Sequence, residues 1–369
     1  MNYHRILISL LLEALMTSFA VSCQHGNGGQ TAIQADSPQS HQTDSADSAY
    51  RYNICFALYY KANDFFNRNE SDSLEMMVPD ALKTCLELRD ERHYYLIWEK
   101  MAEYYVWNNQ FEKAVAEAQR MQEDALKRDN QLGLFNSYKV LGTAYAYKEN
   151  FSESAKVLSK AVESFPEGEF IGPLVMTYRL YYEVLSILKK EEEADSLLRD
   201  WKTQMEGHRI SENSKDSCVW GIWNFFYQTE LANCLRKKGD FKGADQSLDS
   251  AEYYNHIGGD EPLNLMKLLV NRSELAREMG DYKTALKYTE REIALAREYG
   301  DNSNVILGMA ERCLTLEAFG RYRDAIKLYH EMDAFKDSLN EADTHAQLNE
   351  LNKRFELNEL KMQAERQQM

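Results

Sequence analysis

The chain has 369 residues, of which 5 are Pro, 17 are Gly and 28% are charged. So few helix breakers favour an all-α protein, and the length allows two or three domains or one elongated array. The net charge is −16 with no basic stretch, which argues against nucleic acid as a partner.

The N-terminus has the features of an export signal. Residues 1–23 carry a positive charge at Arg5, then an apolar stretch, then small residues before Cys23. The ending "AVSC" resembles the lipobox of bacterial lipoproteins, which implies lipidation of Cys23 and a membrane anchor. One alternative is an ordinary cleaved signal with an incidental Cys, and another is a cytoplasmic protein with a membrane anchor. The interpretation favoured here is an exported, periplasmic, membrane-anchored protein.

Residues 24–45 are polar and cannot bury a core. Such a composition is typical of a flexible linker, here between the anchor and a folded body. The folded body is predicted to occupy residues 46–337.

One segment of this body predicts two amphipathic helices joined by a short turn. It reads "YKVLGTAYAYKENFSESAKVLSKAVESFP", residues 138–166. Gly142 lies on the apolar face of the first helix, Phe151 and Ser154 on that of the second, and Pro166 ends the unit. Small residues at these positions let two helices cross closely, and the aromatic ring fills the space beside the crossing.

The same pattern recurs along the chain. An aromatic residue after the turn is followed three positions later by a small residue, at Phe111/Ala114, Phe151/Ser154, Phe241/Ala244, Tyr282/Ala285 and Tyr322/Ala325, with a weaker copy at Glu191/Ala194. The small residues are separated by 40, 40, 50, 41 and 40 positions, and the long spacing coincides with a polar insertion at 206–217. A second small residue lies twelve positions before each first one, except at Tyr182.

These residues resemble the tetratricopeptide repeat (TPR), with a period longer than the usual ~34 residues. The resemblance implies an α-α superhelix of about seven hairpins, with longer helices than usual. It also implies a concave groove, lined by the first helix of each pair, that binds a protein or peptide. The groove candidates are Glu99, Glu103, Lys139, Thr143, Tyr147, Asn233, Arg236, Lys237, Lys267, Glu274 and Arg277.

Two aromatic clusters, 93–107 and 219–228, fall on first helices. Their helical spacing predicts core positions for most of the rings. Trp107 and Trp223 lie off the apolar stripe, and a partner-facing position is the alternative for them.

No enzymatic signature is present. The sequence has no phosphate-binding loop, nucleophile elbow or HExxH helix, and its five cysteines beyond Cys23 have no CxxC spacing. No cofactor or metal is therefore expected, and a non-enzymatic protein is predicted. A disulfide between Cys55 and Cys85 and an enzyme site hidden in the groove remain alternatives.

Residues 338–369 predict a long C-terminal helix that could form a coiled coil. Leu351, Phe355 and Met362 lie on one apolar stripe, which favours self-association through paired tails. The layout resembles Bacteroidetes signalling proteins in which a periplasmic TPR region and a charged helix precede a membrane span. That resemblance implies the sensing part of a membrane signalling protein. The alternative is a stand-alone lipoprotein scaffold of the cell envelope.

Overall fold

The computed structural model of the chain describes residues 45–207 and 214–339. No strand occurs in these ranges, which confirms the predicted all-α class. Fourteen helices run through them: α1 (Ser45–Asn67), α2 (Ser71–Glu87), α3 (Glu91–Trp107), α4 (Phe111–Arg128), α5 (Gln131–Tyr147), α6 (Phe151–Glu163), α7 (Gly172–Ile187), α8 (Glu191–Gly207), α9 (Ser214–Lys237), α10 (Phe241–Ile257), α11 (Pro262–Glu278), α12 (Tyr282–Glu298), α13 (Asn302–Ala318) and α14 (322–339).

The repeat length follows from the helices and turns. Most helices have 17 residues, and three residues join α2 to α3 and α3 to α4. The turns hold a residue in the left-handed conformation, such as Arg89 at φ 58° and Asn109 at φ 56°. In each such turn the amide after this residue closes the helix end, as where Asp90 N donates to Cys85 O over 2.9 Å. Helices longer than those of the usual repeat, as predicted, therefore account for a spacing near 40 residues.

The predicted close crossings are confirmed. Ser154 Oγ donates to the carbonyl of Gly142 over 2.8 Å, and Ser273 Oγ donates to that of Ala285 over 3.2 Å. Both serines are fully buried. Because the residues at the crossing are small, the two helices of a hairpin lie close enough for a serine hydroxyl on one helix to donate to a backbone carbonyl of the other.

The described residues fall into two compact units divided between Glu261 and Pro262. The N-terminal unit holds five hairpins, α1/α2 to α9/α10, and the C-terminal unit holds two, α11/α12 and α13/α14. The residues that the structure describes therefore form seven hairpins, which agrees with the prediction of about seven.

In the N-terminal unit the first helices α1, α3, α5, α7 and α9 contact one another in that order. The α3 aromatic cluster lies in the core as predicted, since Tyr94, Trp98 and Tyr105 are all buried. In the C-terminal unit α11 packs on α13, and Met266, Val305 and Met332 belong to one apolar cluster.

Several predictions lie outside the described residues. They are the leader and linker up to residue 44, the lipidation of Cys23, and the tail from residue 340, with Leu351, Phe355 and Met362. In the part of the chain that is described, no helix combines the length and the apolarity that crossing a bilayer requires.

Candidate interaction surface

Three of the predicted groove residues form one ionic cluster between α3 and α5. Lys139 Nζ lies 2.7 Å from a carboxylate oxygen of Glu103 and also pairs with Glu99. Lys100, which the sequence analysis did not single out, places its ammonium 2.7 Å from the other oxygen of Glu103. Glu99 and Lys100 are buried, and side-chain exposure is 15% for Lys139 and 19% for Glu103.

The charges of this cluster stabilise one another. Burial alone would raise the pKa of Glu103, but the charges of Lys100 and Lys139 outweigh it and lower that pKa to about 2. Burial would likewise lower the pKa of Lys139, yet Glu103 and Glu99 raise it. Glu103 and Lys139 are therefore both charged at neutral pH, and they bind each other across two consecutive first helices. The cluster therefore holds α3 against α5. Its charged groups are paired with one another and are not free to bind a ligand.

The next first helix carries a cation that the groove prediction missed. Arg179 on α7 is 2% exposed and lies 3.9 Å from Glu183 and 4.0 Å from Glu230 of α9. Its guanidinium stacks 4.6 Å from the ring centre of Phe226, and burial lowers its pKa. The sequence could have identified Arg179 as a candidate, because this basic residue follows the basic Lys139 by 40 residues, the length of one repeat.

The remaining candidates do not join the ionic cluster. Thr143 donates to the carbonyl of Lys139 over 2.8 Å, and Asn233 donates to Glu230 over 3.1 Å, so both bind groups of their own helix. Arg236 is partly buried near the end of α9, where Lys237 is exposed.

In the C-terminal unit, Lys267, Glu274 and Arg277 all lie on α11. Arg277 Nη1 is 2.6 Å from the buried carboxylate of Glu311 on α13. Arg277 is therefore held by an ion pair between the two first helices of this unit.

A loop of the N-terminal unit, residues 164–171, crosses several first helices. Glu169 accepts from Arg92 of α3, Phe165 packs edge-on against Phe135 of α5, and Phe170 contacts Trp223 of α9. Trp223 is 5% exposed, so the alternative that it faces a partner is wrong, because Phe170 occupies that side of its ring.

An open cleft lies between α4 and α5. It has a volume of about 290 Å³ and is lined by Phe111, Glu112, Val115, Ala116, Gln119, Ala144, Tyr145 and Lys148. Its rim carries an ion pair, with Lys148 Nζ 2.6 Å from Glu112 and 5.5 Å from the ring centre of Phe111. A mostly apolar hollow with a charged rim is the usual form of a protein interaction site.

This cleft adjoins one of the predicted groove residues. The ring of Tyr147 lies 6.1 Å from that of Phe111, which forms a wall of the cleft. Tyr147 is half-buried. A chain segment lying along the C-terminal end of α5 could therefore contact Tyr147 and place an apolar side chain in the cleft.

Potential metal ligands are scattered in the described part of the chain. No group of three His, Cys, Asp or Glu side chains within it could hold a metal ion. Its cysteines are held as neutral thiols, because burial raises the pKa of Cys234 to about 11 and that of Cys313 to about 12. These thiols are therefore poor nucleophiles at neutral pH.

The fold defines a class of protein, a helical repeat of TPR-like hairpins. No family model matches the sequence, and no curated protein matches it. Among solved structures, the chain is similar to BtubC (BKLC) from P. vanneervenii, with 15% identity over 62% of this chain and 92% of that one, at a TM-score of 0.47. It is also similar to the TPR2AB domain of yeast Sti1 in complex with pHSP90, with 12% identity over 76% of this chain and 99% of that one, at a TM-score of 0.27. These scores are too low for either neighbour to inform the site.

Proposed function

We propose that this chain is a non-enzymatic protein-interaction array that binds a segment of another protein beside Phe111 and Tyr147. The observation that supports the proposal is the apolar cleft of about 290 Å³ between α4 and α5. Helical hairpin arrays commonly use their surfaces to bind chains rather than to catalyse reactions. The ionic cluster of Glu99, Glu103 and Lys139 holds the two adjoining first helices in place.

The partner segment is proposed to have one apolar anchor. The walls of the cleft are Phe111, Val115, Ala116 and Tyr145, which suit an aliphatic or aromatic side chain. The Glu112–Lys148 pair at the rim presents both charges to solvent, so polar groups on either side of the anchor would find partners there. A small number of buried anchors generally supplies most of the binding energy of such an interface.

Selection of peptides from a phage-displayed random library against the full chain tests this function. One selected peptide, labelled with a fluorophore, is then titrated with protein and followed by anisotropy. Ala116 is exposed on α4, so Ala116→Arg keeps a good helix former and fills the mouth of the cleft. We expect this variant to weaken binding by at least about tenfold.

The control variant is Ala294→Arg. Ala294 is also an exposed alanine inside a 17-residue helix, α12, and it does not line the cleft. It should bind the peptide as the parent does. Peptides that bind both variants equally well, or a library that yields no binder, would contradict the proposal.

The finer proposal is an exported protein that is membrane-anchored in the periplasm and serves as the sensing part of a membrane signalling protein. It is supported by the leader pattern of residues 1–23 and by the charged tail. Growth with labelled fatty acid tests the anchor. The label should enter the wild-type chain and be absent from Cys23→Ala. If the wild-type chain never takes up label, the lipid anchor is wrong and residues 1–23 are interpreted as a plain signal peptide.

The tail separates the sensing proposal from a stand-alone lipoprotein scaffold. Residues 338–369 fused to a strong parallel dimer should gain helical circular dichroism, because pairing buries Leu351, Phe355 and Met362. The double change Leu351→Asp and Phe355→Asp should reverse the gain. A double variant as helical as its parent would favour the scaffold.

A further inference from the structure

The outer face of α14 matches the face of α4 on which the next first helix packs. Tyr322 and Ile326 lie at the positions of Phe111 and Val115, counted from the start of each helix. The two α4 residues are half-buried, because α5 packs beside them at the cleft. Tyr322 is 64% exposed and Ile326 is 57% exposed. Within the described residues, α14 therefore presents an apolar face that no following helix covers, whereas the end of a repeat array normally has a polar face.

The residue that follows α14 matches the turns that end other second helices. In α2, α4, α10 and α12, a left-handed residue lies at the same distance from the start of the helix, at Arg89, Asp129, Gly259 and Gly300. A first helix begins two or three residues after each of them. The corresponding residue after α14 is Asn340, and Asn adopts the left-handed conformation more readily than most residues other than Gly. The repeat therefore predicts a turn at Asn340 and a further first helix over 342–358, a segment outside the described residues.

Apolar residues of this segment fall on the buried positions of a first helix. Leu351 corresponds to Val140 of α5. Phe355 corresponds to Ala144, which lines the cleft against α4. Val140 and Ala144 are each 1% exposed. The same packing on α14 would place Phe355 over Ile326 and bury apolar surface on both side chains.

The charges at the edge of the two surfaces are complementary. At the cleft, Glu112 near the start of α4 pairs with Lys148, which follows α5, over 2.6 Å. On α14 the position of Glu112 is occupied by Arg323, which is exposed. The position of Lys148 is occupied by Glu359. Because both charges are reversed, the same ion pair can form with opposite polarity.

We propose that residues 340–359 of this chain dock on the face of α14 that carries Tyr322 and Ile326. Docking buries Leu351 and Phe355, which the pairing of two tails would also bury. A docked tail and a paired tail therefore exclude each other, and pairing requires release of the segment from α14. The proposal does not depend on peptide binding in the cleft between α4 and α5.

Photo-crosslinking of the full chain tests the docking. Ile326 is replaced by the photoreactive residue p-benzoylphenylalanine, an equal mixture of normal and nitrogen-15-labelled chains is irradiated, and the product is digested with trypsin. We expect a link between peptide 324–327 and peptide 355–361. The linked species should be either fully light or fully heavy, because both peptides come from one chain.

The isotope pattern and a second probe position decide against the other occupants. Linked species of mixed mass would mean that a second copy covers α14, and a link elsewhere or no link would mean that the tail does not occupy this face. The control places the probe at Asp324, in the same tryptic peptide but on nearly the opposite side of the helix. It should give no link to 355–361, and an equally strong link would overturn the proposal.

Hydrogen exchange separates docking from the pairing of tails. Phe355→Asp should speed the exchange of amides 326–332 by about fivefold or more, because it removes the ring that covers this part of α14. Met362→Asp is the matched control, since Met362 belongs to the pairing stripe but lies beyond the docked segment. It should leave these amides unchanged. Equal effects of the two variants would assign the cover to paired tails, and no effect of Phe355→Asp would likewise contradict docking.

Discussion

Arg92 of α3 holds Glu169 of the loop before α7 with a two-pronged ion pair across 77 positions of sequence. Its Nε donates to one carboxylate oxygen over 2.7 Å and its Nη2 donates to the other over 2.8 Å. The same loop packs Phe165 on α5 and Phe170 on α9. The pair is therefore one of three attachments that hold loop 164–171 across the first helices of the N-terminal unit.

Breaking this pair should loosen the loop more than the fold. Arg92→Ala removes a bidentate partner, but the Arg92 side chain is 45% exposed, so the cost in global stability should be only about 0.5–1 kcal/mol. Backbone amides of residues 165–170 should exchange with deuterium faster than in the parent. Lys156→Ala, which breaks the exposed pair with Glu153, is the control and should leave these amides unchanged. Equal exchange in Arg92→Ala would mean that the ring contacts alone hold the loop.

Glu103 should matter to stability in a pH-dependent way. Glu103→Gln leaves Lys100 and Lys139 with less compensating charge in a buried site, which should cost about 3 kcal/mol near neutral pH. The pKa of Glu103 is lowered to about 2 in the fold. Its contribution is therefore present above the ordinary carboxyl pKa of 4.5 and is lost as the pH falls from there to about 2.

Urea unfolding at a series of pH values measures this effect. The difference between wild type and Glu103→Gln should shrink as the solution becomes more acid. Glu112→Gln, in which the altered group is exposed at the cleft rim, is the matched control and should show little difference at any pH. A constant difference for Glu103→Gln down to acid pH would mean that the cluster is not ionised as described.

Gly142 should tolerate no large side chain. A Cβ at this position would lie 2.5 Å from Cδ2 of Leu158 on α6, so Gly142→Leu overpacks the crossing and should destabilise the chain by roughly 1–3 kcal/mol. Gly207 has no heavy atom within 4 Å of the corresponding position. Gly207→Leu should therefore leave the melting temperature nearly unchanged. An unchanged melting temperature for Gly142→Leu would show that α5 and α6 do not meet there.

Glu292 in the C-terminal unit should destabilise the native state when it is ionised. It is fully buried, and neither of its carboxylate oxygens has a hydrogen-bond partner. Burial and the charges of Glu311 and Glu274 raise its pKa well above 4.5. A raised pKa means that native stability is highest below the unfolded-state value and falls as the pH rises through the folded-state value.

The isosteric change Glu292→Gln removes this charge. It should stabilise the chain by about 1–3 kcal/mol at alkaline pH and give no gain at acid pH. The exposed Glu290 on the same helix provides the control change Glu290→Gln. Chemical unfolding at both pH values compares the two variants, and a gain that is the same at acid pH would rule out ionisation as its cause.

The hairpins could be predicted because their determinants are local and repeat. A small residue such as Gly142 and its partner Ser154 are needed wherever two helices cross, so the pattern marks each hairpin. Tyr182, the one exception, is also buried, which shows that a crossing can accommodate a larger residue in one hairpin. The polar insertion at 206–217 also proved partly helical, since α8 extends to Gly207 and α9 begins at Ser214.

The interaction surface was less predictable because it depends on contacts between repeats. Glu99 of α3 and Lys139 of α5 occupy the same position in successive repeats. The position of a residue within the repeat could not show by itself that these two charges neutralise each other. The attachment of Glu169 to Arg92 has no local signature at all. Tyr147 was identified from the sequence, but the cleft beside it depends on how α4 and α5 pack.

Hydrogen exchange of the full chain with and without a library-selected peptide tests the interaction proposal most directly. Bound peptide should slow exchange in residues 111–119 and 144–148, which line the cleft, and should leave residues 282–298 of α12 unchanged. The protection should disappear in Ala116→Arg. Protection that is absent from the cleft, or that persists in Ala116→Arg, would contradict the assignment of the cleft beside Phe111 and Tyr147 as the binding site.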